Sequence, residues 1–173
     1  ADAFNQDIGS WDVSNGNSFN SMFLNVDAFN QDIGSWDVSN GTDFNSMFNN
    51  ADAFNQDISS WDVSSGTNFE SMFQDAHLFN QDISNWNVSN GNDFTYMFRS
   101  AVNFDQDLSK WNISSANSLT GMFYSASKMN FSRGISWSPN RSYFVGSNAN
   151  DGTATFSISG SPFIGNTLTL INT

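Results

Sequence analysis

One spacing governs this chain: chemically distinctive residues return every 25 positions. Phe4, Phe29, Phe54, Phe79 and Phe104 do so, as do Trp11, Trp36, Trp61, Trp86 and Trp111. Met22, Met47, Met72, Met97 and Met122 keep the same interval, each with a Phe directly after it. Gln6-Asp7 returns as Gln31-Asp32, Gln56-Asp57, Gln81-Asp82 and Gln106-Asp107. A fixed period of this length marks a stacked repeat architecture, in which one unit is too small to bury its apolar groups and its neighbours bury them for it. The period therefore predicts a repeat solenoid of five 25-residue units over residues 1–125. Residues 126–151 keep only part of the pattern, with Trp137 one residue late and Tyr143-Phe144 in place of Met-Phe. They read as a degenerate capping repeat whose outer side faces solvent.

Within a unit the hydrophobic period changes. Trp11-x-Val13 alternates, which predicts a short strand over Ser10–Ser14. Asn15-Gly16 then reads as a turn. Phe19, Met22, Phe23 and Val26 follow at i, i+3, i+4 and i+7, one face of a short helix, with Asn17 or Ser18 to cap it. Each unit is thus expected to supply one short parallel strand and one short helix.

Composition limits the functions open to such a stack. The formal net charge is −12, with Lys and Arg totalling 5 against 17 acidic residues. Nucleic acid and anionic membranes are recognised through clustered cations, and none cluster here. Residues 1–75 carry acidic side chains and no Lys or Arg, whereas Arg99, Lys110, Lys128, Arg133 and Arg141 all lie later. The chain has no cysteine, which removes disulfides, thiolate metal sites and cysteine nucleophiles. No apolar run is long enough to span a bilayer. Ala1-Asp2-Ala3-Phe4 falls in phase with the repeat, so the chain reads as a fragment of a longer polypeptide, with any targeting signal outside it.

The motif Phe4-Asn5-Gln6-Asp7-Ile8, Trp11-Asp12-Val13-Ser14-Asn15 and Met22-Phe23, five times over, resembles the BspA-like surface-protein repeat family, also abundant in mycoplasma-type surface lipoproteins. The likeness covers residues 1–125 and implies a leucine-rich-repeat-like solenoid displayed outside the cell, secreted or at the cell surface, with roles in adhesion. It implies binding of a host or other partner, and no catalytic residue or cofactor. The expected partners are a protein or glycan at a surface, with a stalk or filament of copies of the chain itself as the alternative. The chain departs from that pattern where Gly16, Gly41, Gly66 and Gly91 stand at a place usually held by Val, and Phe19, Phe44, Phe69 and Phe94 at one where Met is common. The glycine column is expected to alter curvature. Residues 152–173 differ again: Thr153–Ser159 and Thr167–Ile171 alternate in hydrophobicity, a C-terminal β segment. They resemble the opening strands of a bacterial immunoglobulin-like surface module, which needs about seven strands in all.

Two acidic columns are the candidate sites. Asp7, Asp32 and Asp57, with Asp2, Asp27 and Asp52 five residues before them, offer oxygens for Ca2+, a hard cation that takes six to eight. The same aspartates suit capping of backbone N–H groups in turns, the more frequent role of Asx residues there. Asp12, Asp37, Asp62, Asn87 and Asn112, between Trp and Val, are expected to point outward as a ligand face or simply a solvated one. Stacked carboxylates also match the separation of a glycosidase pair, but stacking alone produces that spacing and nothing sets two of them apart, so the chain is not expected to be an enzyme. His77, the only histidine, takes the place of an Asp and is expected to be exposed. The glycosylation sequons at Asn87, Asn112, Asn130 and Asn140 are what chance supplies in a chain this rich in Asn and Ser. The stacked-core reading makes a direct prediction. Trp61→Ala destabilises the chain by about 3–5 kcal/mol in chemical denaturation; an unchanged midpoint removes the stacked core from consideration.

Overall fold

The computed structural model describes residues 3–129 and two short strands, β1 (Ser157–Ile158) and β2 (Leu170–Ile171). Its 25-residue units lie one upon another in register. Parallel bridges join Ser18 to Asp43, Asp43 to Asn68, Asn68 to Asp93, and Asp93 to Ser118. Strands β1 and β2 pair antiparallel, with Ser157 opposite Ile171 and Ile158 opposite Leu170. The capping repeat expected over 126–151 enters the described residues only at 126–129, where Ala126 and Met129 are buried. The rest of that unit, Asp2, and residues 152–173 apart from β1 and β2 lie outside them.

The short helix expected over Phe19–Val26 does not form, and among the described residues there is no helix. A staircase of turns replaces it. Met22 N–H donates to Phe19 O at 3.2 Å, Leu24 N–H to Ser21 O at 3.2 Å and Val26 N–H to Phe23 O at 3.3 Å. The intervening N–H groups donate instead to the next unit: Phe19 to Asp43 O, Ser21 to Asn45 O, Phe23 to Met47 O and Asn25 to Asn49 O, at 2.8–2.9 Å. The same four bonds recur at the three junctions that follow. An α-helix over the same residues would turn the Phe23 and Asn25 N–H groups back onto its own carbonyls and away from the next unit. Backbone handedness makes the difference. Ser21 and Asn25, and their equivalents in all five units, have φ of 54–58°. Ser21 and Asn25 stand third in the turns Phe19–Met22 and Phe23–Val26, where a type II turn requires positive φ. Asn tolerates that region because its short polar side chain bonds locally. The i, i+3, i+4, i+7 pattern did mark the inward residues, since Phe19, Phe23 and Val26 are buried; it could not tell a helix from a staircase that faces the same way.

The strand expected over Ser10–Ser14 is likewise absent. That segment turns: Trp11 N–H donates to Ile8 O at 3.0 Å and Gly16 N–H to Val13 O at 2.8 Å. Tryptophan earns its place there through its indole N–H, which a buried ring must satisfy. Trp36 Nε1 donates to Ile8 O of the preceding unit at 3.1 Å, and Trp61, Trp86 and Trp111 do the same to Ile33, Ile58 and Ile83. The Asn-Gln pair ties units together on another side. Asn30 N–H and Gln31 Nε2 both donate to Asn5 Oδ1 at 2.9 Å, and Asn30 Oδ1 receives Asn55 N–H and Gln56 Nε2 in turn. Every buried side-chain N or O among the described residues has a partner.

Phenylalanine columns fill the core. Phe54, Phe79 and Phe104 stack at 5.9 Å between centroids, and Phe48, Phe73 and Phe98 at 5.5–5.6 Å. The two columns touch within each unit, as Phe48 and Phe54 do at 3.9 Å and 8°. Such pairs contribute about 0.5–1.5 kcal/mol beyond their buried area.

The glycine column answers to packing. A Cβ on Gly41 would stand 2.6 Å from Phe44 Cζ and 2.9 Å from Phe19 Cε2, and on Gly66 and Gly91 closer still to Phe69 and Phe94. The phenylalanine ring occupies the volume that a side chain at the glycine would need. In the fifth unit Leu119 replaces the Phe, and Ala116 stands where the glycine was. The two departures from the pattern are therefore one exchange of volume. Gly66→Ala alone destabilises by about 1–3 kcal/mol through overpacking. Adding Phe69→Leu, the pair found at Ala116 and Leu119, returns part of that loss, so a double-mutant cycle in urea gives a favourable coupling. Strict additivity would show that the two columns are independent.

Candidate functional site

The turn that opens each unit's second side carries the first column. Asp12, Asp37, Asp62, Asn87 and Asn112 are exposed. Each Oδ1 accepts the N–H of the serine two residues on, at 3.0–3.2 Å. The Ser14 and Ser39 hydroxyls donate to the same oxygens at 2.6 Å. That hydroxyl, and next the backbone N–H, hold the Asp12 and Asp37 carboxyls below the ordinary aspartate range. Repulsion between Asp12 and Asp37 acts the other way and is the smaller effect. The column is a fixed row of outward oxygens on turns.

Asp7, Asp32, Asp57, Asp82 and Asp107 form the second column, also exposed. Their Oδ1 atoms accept from the N–H of Gly9, Gly34, Ser59, Ser84 and Ser109 at 2.9–3.0 Å. For Asp57 and Asp82 this backbone bond is the main reason the carboxyl lies low. Asp27 and Asp52 are exposed, and Asp52 Oδ1 lies 2.8 Å from His77 Nδ1. Histidine and aspartate there are 44% and 51% exposed, so the pair is worth little to stability.

A third group is made of residues that depart from the chemistry of their repeat columns. Arg99 Cζ lies over the Tyr96 ring, 5.1 Å from its centroid, and over the Tyr124 ring at 5.5 Å. The signal in the sequence is a break in the repeat. Tyr96 follows Ser21, Ser46 and Ser71 in its column, and Arg99 and Tyr124 follow Leu24, Asn49 and Gln74.

The sequence profile of a family described as "Mycoplasma protein of unknown function, DUF285" matches the chain twice, over residues 1–77 and 36–137. Together the matches run through all five units. Among curated proteins and solved structures, none matches the chain.

The second column bears on calcium. Among the described residues no three His, Cys, Asp or Glu side chains converge on a point that would hold a metal ion. Each Asp of that column spends one oxygen on its own turn, whereas Ca2+ takes six to eight. On that geometry each carboxylate caps its own turn, and dissolved salt screens the repulsion between neighbouring carboxylates. Thermal melting in CaCl2 and in NaCl of matched ionic strength, each against EDTA, is expected to give equal rises. A higher melting point in Ca2+ would assign these aspartates to the ion, because binding to the folded state alone stabilises it.

Proposed function

Because the chain belongs to the Mycoplasma protein family that its repeats match, a family of unknown function, we propose that it is a non-enzymatic extracellular module of a larger surface protein. In this reading the stacked units form a solenoid whose exposed columns meet a protein or glycan partner. One observation carries it: the Asp12, Asp37, Asp62, Asn87 and Asn112 row is exposed and fixed in direction by its own serines, yet takes no part in the core. Solenoids offer extended surfaces of this kind, where a partner touches several repeats at once. The acidic balance of residues 1–75 fits a partner met in solution or on another surface.

A second reading is a stalk or self-assembling filament built from stacked repeats. Its support is the stacking itself: the same four backbone bonds join each unit to the next at every junction, a contact that copies of one unit can repeat.

Antibody labelling of intact cells making the full-length protein tests the first reading. Labelling without permeabilisation, removed by external protease, is the expected result. Labelling only after permeabilisation would end it. Long fibres of the purified chain under the electron microscope would favour the second.

A further inference from the structure

The turn staircase repeats one chemistry through three units and then changes it. Ser21, Ser46 and Ser71 give way to Tyr96 and then Gly121. Tyr96 has φ of 56°, a left-handed backbone in which a bulky side chain is a true outlier. Serine fills the same backbone position in three other units, so folding does not require tyrosine there. Gly121 has φ of 58°, and a Cβ on it would stand 2.5 Å from Tyr96 Cε1. The fifth unit therefore lacks a side chain where the tyrosine ring lies. Strain that persists beside a cleared space calls for a function.

The ring supports a cation. Arg99 lies over both Tyr96 and Tyr124, and among the described residues no oxygen forms a hydrogen bond or ion pair with its guanidinium. Five N–H donors in a planar fork suit a carboxylate bound through both oxygens. Tyr124, 37% exposed, adds an open aromatic face. The neighbouring column, Asn20, Asn45 and Glu70 in the first three units, becomes Thr95 and Thr120. Thr95 Oγ1 and Ser118 Oγ are 2.6 Å apart, and Ser118 Oγ donates to Thr120 Oγ1 at 3.2 Å. The column of Glu70 has thus lost its acid and gained hydroxyls, and the nearby Asp93 accepts the Thr95 N–H with its Oδ1 at 2.8 Å. A net charge of −12 disfavours a dianion such as phosphate more than a single carboxylate.

We propose that Tyr96, Arg99 and Tyr124 form a binding site for a carboxylate-bearing sugar, a hexuronic acid residue of an external glycan. The carboxylate takes the guanidinium edge, and the apolar face of the pyranose lies on Tyr124. The proposal rests on the interaction-module reading only in placing the ligand outside the chain. NMR titration of the whole chain tests it, with glucuronate, glucose and acetate as probes. Glucuronate is expected to shift the Arg99 Nε–H and the Tyr96 and Tyr124 ring signals saturably in the millimolar range. Glucose leaves them in place, and acetate binds roughly tenfold more weakly for want of the stacked ring. Arg99→Met abolishes the shifts. Tyr96→Ser weakens binding roughly tenfold while raising the melting temperature, since it restores the residue of three other units and relieves the strain. Acetate binding as well as glucuronate, no shift at Arg99, or a Tyr96→Ser chain that melts lower would each overturn the site. Glucuronate shifts confined to the Asp12 to Asn112 row would overturn it too, while leaving the wider reading intact.

Discussion

Alternate backbone N–H groups of the staircase point in two directions, and the rest of the structure depends on that division. One set closes turns inside the unit, and the other bonds the carbonyls of the next unit. No unit can satisfy its own backbone, and none could do so by becoming a helix without breaking from its neighbour. The register is therefore fixed by main-chain bonds before any side chain is considered. Rings that recur at one place in the sequence then meet their own kind, and the aromatic columns follow. The left-handed residues are the cost of this arrangement, roughly 1–2 kcal/mol each for a side chain that does not suit the region. Asn25, Asn50, Asp75 and Gly121 keep that cost low at their places, and the serines and Tyr96 bear it.

Polar residues do more in this core than fill gaps. The indole N–H of each buried tryptophan reaches back to an isoleucine carbonyl that already accepts a bond in its own unit. The asparagine and glutamine pair repeats the device on another side. Such bonds are modest in net energy, yet leaving their partners buried and unmatched would be costly. They discriminate among registers, because a unit displaced by one residue would lose all of them at once.

Much of this arrangement was legible in the sequence, and the exceptions have physical causes. The period located the units, and the spacing of Phe19, Phe23 and Val26 located the inward side. The same spacing suits a helix, and nothing local in Phe-Asn-Ser-Met-Phe revealed that Ser21 would be left-handed. That depends on a neighbour 25 residues away to take the freed N–H. Gly41 looked like a bend and proved to be the space for Phe44, a relation visible only once the ring was placed, although Ala116 beside Leu119 held the clue. The two acidic columns were found because they repeat. Tyr96, Arg99 and Tyr124 escaped notice because they do not, and a search for period passes over whatever breaks it.

The volume exchange between Gly41 and Phe44 has an evolutionary consequence. The nearest ring to each glycine lies within its own unit, three residues on, as Phe44 does for Gly41 and Phe69 for Gly66, and Ala116 stands in the same relation to Leu119. A unit copied, lost or moved by recombination carries its own compensation with it, provided the exchange preserves the 25-residue phase. Breakpoints between the glycine and the phenylalanine would mix an alanine with a ring that needs its space, and selection would remove them. Breakpoints elsewhere in the unit leave the junctions chemically alike. The gene is thus free to lengthen or shorten its product by whole units, changing how far it reaches without redesigning its core.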